Sequence, residues 1–101
     1  MTLDRMAETI VAPITAIGGA VAIVRLSGVR SWTIASSVFS AWPDVGVPRV
    51  ATYGWFRGID DGYVLPFSAS RSFTGEESVE LSVHGSSASV GSLVSACIEA
   101  G

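Results

Sequence analysis

Between Ser78 and Ile98 the spacing of apolar residues changes period, and that change constrains the fold more than anything else in the chain. Val79, Leu81 and Val83 alternate with Ser78, Glu80 and Ser82, so this segment is a strand with one face in a core and one polar face. From Ser86 onward Val90, Leu93, Val94, Cys97 and Ile98 recur at the i, i+3, i+4, i+7 and i+8 positions of an amphipathic helix. Serines flank the start of that helix, and Gly101 lies at its natural stop. A strand handing over to such a helix calls for a sheet with helices packed on it.

The other elements follow from the same kind of reading. Thr9 to Ile14 reads as a buried strand and Ala20 to Leu26 as a second, joined by a loop containing Gly18-Gly19. Ser31 to Phe39 has helical spacing, with Trp32, Ala35, Ser36 and Phe39 on one stripe and Ser31 as a cap. Pro43 to Pro48 is loop. Arg49 to Arg57 sets Ala51, Tyr53 and Trp55 against Val50, Thr52, Gly54 and Phe56, a strand with something on both faces. Asp60-Asp61-Gly62 carries a turn signal, and Tyr63 to Phe67 is the returning strand. The order β-β-α-β-β-β-α predicts an α+β domain, a mixed β-sheet of about five strands with helices packed on it. A chain of 101 residues holds a single domain spanning residues 1–101.

Composition narrows the function classes. Apolar residues make up 49% of the chain and mean hydropathy is +0.50, high for a small domain that must keep a polar skin. The excess points to a buried interface, with a twin subunit or with further domains, or else to a core rich in Ala and Val. Net charge is −3, there is no lysine, and the six arginines (Arg5, Arg25, Arg30, Arg49, Arg57, Arg71) are scattered. An RNA-binding surface needs many cations on one face, so the chain offers no such surface. Cys97 is the one cysteine, which excludes an internal disulfide; on the apolar stripe of the last helix it acts as a small hydrophobe. One histidine, one cysteine and no clustered ligand spacing point to no metal site. Arg5 followed by the uncharged run Thr9 to Val24 has the outline of a signal peptide. The run is shorter than the ~20 residues that cross a membrane, and it is broken by Pro13 and Gly18-Gly19. Two buried strands account for it better, and a cytoplasmic chain without membrane association is the expectation.

Chemistry concentrates between Ser72 and Gly85, where a tight turn, two adjacent carboxylates, a third carboxylate on a strand and the only histidine fall together. Ser72-Phe73-Thr74-Gly75-Glu76-Glu77, then Glu80, then His84-Gly85-Ser86 resemble the N-terminal domain of the MnmE (TrmE) family of tRNA modification GTPases. That family carries Ser-Phe-Thr-Gly-Glu-Asp, a Glu on the following strand and His-Gly-Gly. The likeness extends upstream. Glu8-Thr9-Ile10-Val11-Ala12 is similar to the family's opening Asp-Thr-Ile-Val-Ala strand, and Val21-Ala22-Ile23-Val24-Arg25-Leu26-Ser27-Gly28 to its Val-Gly-Ile-Leu-Arg-Ile-Ser-Gly. Tyr53, Phe56, Asp60 and Gly62 fall where the family has an aromatic strand, an acidic turn and the next strand. Departures occur as well: Ile14-Thr15-Ala16-Ile17-Gly18-Gly19 stands where the family's turn is richer in Pro and Gly and carries an Arg. Ser86 replaces the second Gly of His-Gly-Gly, and Ala20 and Ala22 replace glycines, each adding bulk near the backbone.

The resemblance implies a domain like the tetrahydrofolate-binding domains of aminomethyltransferases, binding a 5-formyltetrahydrofolate-type one-carbon donor. The matching Glu and Arg of the family lie in the folate site, which carries that role to Glu80 and Arg25, with Thr74, Gly75, His84 and Gly85 as possible lining residues. It also implies a homodimer. The parent protein would act on the tRNA wobble uridine with the flavin-dependent partner MnmG (GidA), tRNA being held by the full complex rather than by this domain. No Gly-x-x-x-x-Gly-Lys-Ser/Thr loop occurs, so GTP, Mg²⁺ and K⁺ would belong to a G domain outside this chain.

The residues themselves fit that reading and leave alternatives open. A carboxylate such as Glu80 on a rigid strand can accept two parallel N–H donors from a guanidine-like edge, of the kind a pterin presents, or it can simply face solvent. Arg25 interrupts an apolar strand, where its charge requires either a ligand carboxylate or carbonyl, or a protein carboxylate. His84-Gly85 opens the last helix, whose free N–H groups make a natural anion site. No catalytic constellation follows from spacing. Two rival readings are a pure dimerisation module with a decayed folate site, and a small enzyme using His84 and Glu80 as acid and base.

Overall fold

Seven elements form in the predicted order in the computed structural model, which describes residues 9–15, 20–42, 50–68 and 76–101. They are β1 (Ile10–Pro13), β2 (Val21–Ser27), α1 (Ser31–Val38), β3 (Thr52–Phe56), β4 (Asp60–Phe67), β5 (Ser78–His84) and α2 (Ser87–Ala100). The loop with Gly18-Gly19, the Pro43 to Pro48 loop and the start of the predicted third strand at Arg49 lie outside the described residues.

The strands make one sheet in the order β1-β2-β5-β4-β3, and every neighbouring pair is antiparallel. The α+β class and the five strands stand as predicted, but the expected mixed sheet is not what forms. A helix between two strands suggests a parallel crossover. Here the connection through α1 carries the chain from β2 to β3 at the far edge, with β5 and β4 between them, and so creates no parallel pair.

Both helices contribute to a core on one face of the sheet. From the strands come Ala22, Val24, Leu26, Phe56, Val64, Val79, Leu81 and Val83, and from the helices Ile34, Ala35, Val38, Val90, Leu93 and Cys97, all buried. The alternation read in β5 holds, with Val79, Leu81 and Val83 buried while Glu80 and Ser82 lie on the other face. Helix α2 is capped by Ser86, whose hydroxyl accepts from the Ser89 amide at 3.1 Å, satisfying one of the orphan N–H groups of its first turn. Its stripe is narrower than predicted: Ile98 lies beyond the edge of the core and is exposed.

The phase of α1 also differs from the sequence reading. Its buried residues are Ser31, Ile34, Ala35 and Val38, and Ser31 gives no cap bond; Arg30 occupies the N-cap position. The polar character of Ser31 suggests a cap, whereas the residue sits in the first turn and faces the core.

β1 and β2 are not the two fully buried strands expected. β1 is an edge strand, largely exposed, and β2 alternates between the core and the opposite face. With helices on one side only, half of each strand is left looking outward. The other edge, β3, is covered by the chain leaving α1. The Ser40 amide donates to the Trp55 carbonyl at 2.8 Å, the Arg57 amide to Val38 at 2.9 Å, and the Phe39 and Phe56 rings pack at 4.9 Å.

The β3–β4 turn is made by Arg57-Gly58-Ile59, with Gly58 at a φ of +73° and the Ile59 amide donating to the Phe56 carbonyl at 2.9 Å. Asp60-Asp61-Gly62, read from sequence as the turn, belongs to β4. Gly58 supplies the left-handed conformation that closes the turn, so Phe56 pairs with Asp60 and Gly54 with Gly62.

Candidate functional site

The sheet face not covered by helices carries the candidate site. Register places Arg25 on β2 directly opposite Glu80 on β5, and this row continues to Ala12 on β1 and Leu65 on β4. Arg25 Nη2 donates to Glu80 Oε2 at 2.7 Å, with the two side chains 24% and 17% exposed. The two residues predicted from the resemblance therefore meet, although they are 55 positions apart in sequence. Glu80 is the protein carboxylate that Arg25 meets, directly across the β2–β5 ladder. Glu80 Oε1 accepts no hydrogen bond among the described residues. The site thus presents a rigid, largely buried carboxylate with one oxygen held by a guanidinium and the other open to a donor.

Beside this row lies an aromatic one. Tyr53 and Tyr63 face each other across β3 and β4 with ring centroids 5.4 Å apart, edge to face. The Tyr53 hydroxyl donates to Asp61 Oδ2 at 2.6 Å, and this bond to a carboxylate pushes the phenol above its ordinary pKa. A concavity of about 140 Å³ opens here, between Val21, Tyr53, Tyr63, Ser82 and His84. Tyr53, Trp55, Tyr63, Val21 and Ile10 are all exposed, so much of this face is apolar surface in contact with water.

His84 ends β5 on the same face as Glu80, four residues along, or about 13 Å. Its Nδ1 lies 2.5 Å from Asp60 Oδ2, and its backbone amide donates to the same oxygen at 3.3 Å. The hydrogen bond to Asp60 raises the imidazole above its ordinary pKa and lowers the carboxyl of Asp60 below its own. Asp61 stands beside this pair, so Asp60, Asp61 and His84 cluster at one end of the sheet. Sequence reasoning missed this group, because the two aspartates read as turn residues and His84 lies 24 positions from Asp60.

Other predicted site residues fare differently. Thr74 and Gly75 lie outside the described residues. Gly85 is buried, and its amide donates to the Ala20 carbonyl at 3.3 Å, while the amide of His84 is held by Asp60. Neither is a free N–H of the helix start, which comes only after the Ser86 cap, so the anion site expected at His84-Gly85 does not form there. His84 and Glu80 are held by different partners, Asp60 and Arg25, and are not brought together as an acid–base pair. Cys97 is buried on α2, and burial pushes its thiol up to about 11. Among the described residues no helix is long and apolar enough to cross a membrane.

Comparison with known proteins adds an independent line. Residues 9–101 match the family model described as the N-terminus of the GTP-binding protein TrmE. Among curated relatives, the tRNA modification GTPase MnmE of Xanthomonas euvesicatoria pv. vesicatoria is 48% identical over 105 residues, covering 98% of this chain and 23% of that protein. The protein of the same name from Neisseria gonorrhoeae is 39% identical over 99 residues, covering 92% of this chain and 21% of its own length. The chain thus spans between a fifth and a quarter of the length of the curated relatives it matches.

Proposed function

The chain belongs to the TrmE N-terminal family, and from that premise we propose that it is the folate-binding and dimerisation domain of a tRNA-modifying GTPase. In this reading residues 1–101 form the N-terminal domain of a longer protein and bind a 5-formyltetrahydrofolate-type one-carbon donor. The domain has no catalysis of its own. The G domain with GTP, Mg²⁺ and K⁺, the partner MnmG (GidA) and the wobble uridine of tRNA are engaged by the rest of the protein, in the cytoplasm.

The observation that carries the folate reading is the geometry of Arg25 and Glu80. They are cross-strand partners on the open face, and Arg25 fixes one carboxylate oxygen while the other accepts no bond among the described residues. A pterin's 2-amino group and ring N–H match such an acceptor edge. The tyrosines of the adjacent row, Tyr53 and Tyr63, suit the flat faces of a heterocycle. Dimerisation finds support in the same exposed face, since aromatic surface of this kind is found where partners dock.

Calorimetric titration of the chain with 5-formyltetrahydrofolate, beside Glu80→Gln and Glu80→Ala, tests the folate site. Saturable heat that disappears in both variants, with circular dichroism unchanged, is the expected result. Absence of heat from the unaltered chain, with a dimer still present in sedimentation, would leave only the dimerisation module.

A further inference from the structure

At the end of the sheet away from β1, three side chains with metal-ligand chemistry converge from two strands. Asp60 and Asp61 begin β4 and His84 ends β5, and one ligand atom from each lies within 4.8 Å of the other two. We propose that Asp60, Asp61 and His84 form a binding site for a first-row divalent cation of the Zn²⁺ or Co²⁺ type. The inference does not depend on the folate reading, which rests on a different pair of residues.

The donor set selects the class of ion. One imidazole nitrogen and two carboxylate oxygens suit Zn²⁺ and Co²⁺, whereas Mg²⁺ and Ca²⁺ prefer an all-oxygen shell. Three protein ligands with a remaining position taken by water is an arrangement that Zn²⁺ adopts at its open sites. His84 has two-thirds of its side chain exposed, so its ring can reach an incoming ion.

The two carboxylate ligands are also held in place by neighbours, as the outer partners of metal sites hold theirs. Asp60 Oδ1 accepts from the Asp61 amide at 2.9 Å, and Oδ2 accepts from the His84 amide at 3.3 Å. Asp61 Oδ2 is oriented by the Tyr53 hydroxyl at 2.6 Å. The two carboxylates are adjacent, and a cation is what such a pair attracts. The imidazolium of His84 fills that role when protonated, and a divalent ion would displace its proton and take its place. The concavity beside Asp61 and His84, about 140 Å³, has room for waters that complete the coordination shell.

The test uses the tag-free 101-residue chain, stripped with chelator and titrated with Co²⁺ while its visible absorption and thermal midpoint are followed. Saturable binding with a raised midpoint is expected, reversed by chelator and not reproduced by Mg²⁺. His84→Ala and Asp61→Asn each remove a ligand while keeping Asp60, which anchors the strand ends, and each should weaken Co²⁺ binding by at least about tenfold. Full-strength binding in both variants, or no binding by the unaltered chain, would overturn the proposal.

Discussion

Arg25 and Glu80 are direct partners across β2 and β5, and one Nη2–Oε2 contact of 2.7 Å joins them on the uncovered face of the sheet. Both side chains are at least three-quarters buried, so their pairing is worth more than an exposed ion pair and carries more desolvation. Glu80→Gln keeps the shape and removes the charge, and it is expected to destabilise the chain by about 1–3 kcal/mol. Arg25→Met combined with Glu80→Gln should cost less than the sum of the single changes. A double-mutant cycle by urea unfolding measures the difference, and additivity would show that the contact contributes no coupling.

His84 and Asp60 make stability depend on pH, in a direction set by their contact. The imidazole is raised above 6.5 by the hydrogen bond to Asp60, so its contribution is complete below 6.5 and is lost as pH rises through the raised folded value. Asp60 is lowered below 3.8 by the same bond, so its contribution is complete above 3.8 and is lost as pH falls through the lowered folded value. The pair therefore stabilises most between 3.8 and 6.5. The charge of Asp61 adds to the raised imidazole, and the Tyr53 hydroxyl donates to Asp61 from β3. Urea midpoints of the chain and of His84→Ala should differ most inside that window and converge once pH has risen past the raised imidazole value. A constant difference across the range would mean that His84 contributes only packing.

Legibility in the sequence followed the physics of each element. β5 and α2 were readable because Val79, Leu81 and Val83 and then Val90, Leu93 and Cys97 repeat at the period of a single covered face. The β3–β4 turn was misplaced by a few residues, because Asp-Gly is a strong turn signal wherever it occurs, while Arg57-Gly58-Ile59 announces itself only through one glycine. Arg25 and Glu80 could be named individually from the family motif, but their contact depends on the β2–β5 register, which local pattern does not encode. Asp60, Asp61 and His84 were hidden for the same reason: β4 and β5 bring them together across a stretch with no ligand spacing.

Two glycines of the β3–β4 hairpin should respond differently to alanine. A Cβ on Gly62 would press into the backbone carbonyl of Ser82 on the central strand β5, and neither strand can move without breaking its ladder. Gly62→Ala is expected to cost about 3 kcal/mol, as overpacking against backbone does. A Cβ on Gly58 meets nothing within 4 Å, but its φ of +73° is strained for any residue with a side chain. Gly58→Ala should therefore cost only about 1–2 kcal/mol, and Gly58→Asn less. Thermal unfolding of the three variants gives the order, and an equal cost for both alanines would mean that β4 shifts to make room.

Ser31 and Cys97 are both buried beneath the sheet, so removing a hydroxyl at one and introducing a hydroxyl at the other should act in opposite directions. Ser31 Oγ is buried and finds no hydrogen-bond partner among the described residues, so Ser31→Ala removes a desolvated hydroxyl. That change is expected to be neutral or stabilising by up to about 1 kcal/mol. Cys97 packs in the apolar core with its thiol pushed up to about 11 by burial, so Cys97→Ser introduces a polar group where the sulfur is a small hydrophobe. A cost of about 1–3 kcal/mol is expected there. The raised pKa and burial also make the native thiol inert, so a thiol reagent in mildly alkaline buffer should label Cys97 only as fast as the chain opens. Urea that unfolds the chain should therefore accelerate labelling sharply. Rapid labelling without denaturant would show that α2 does not hold Cys97 in the core.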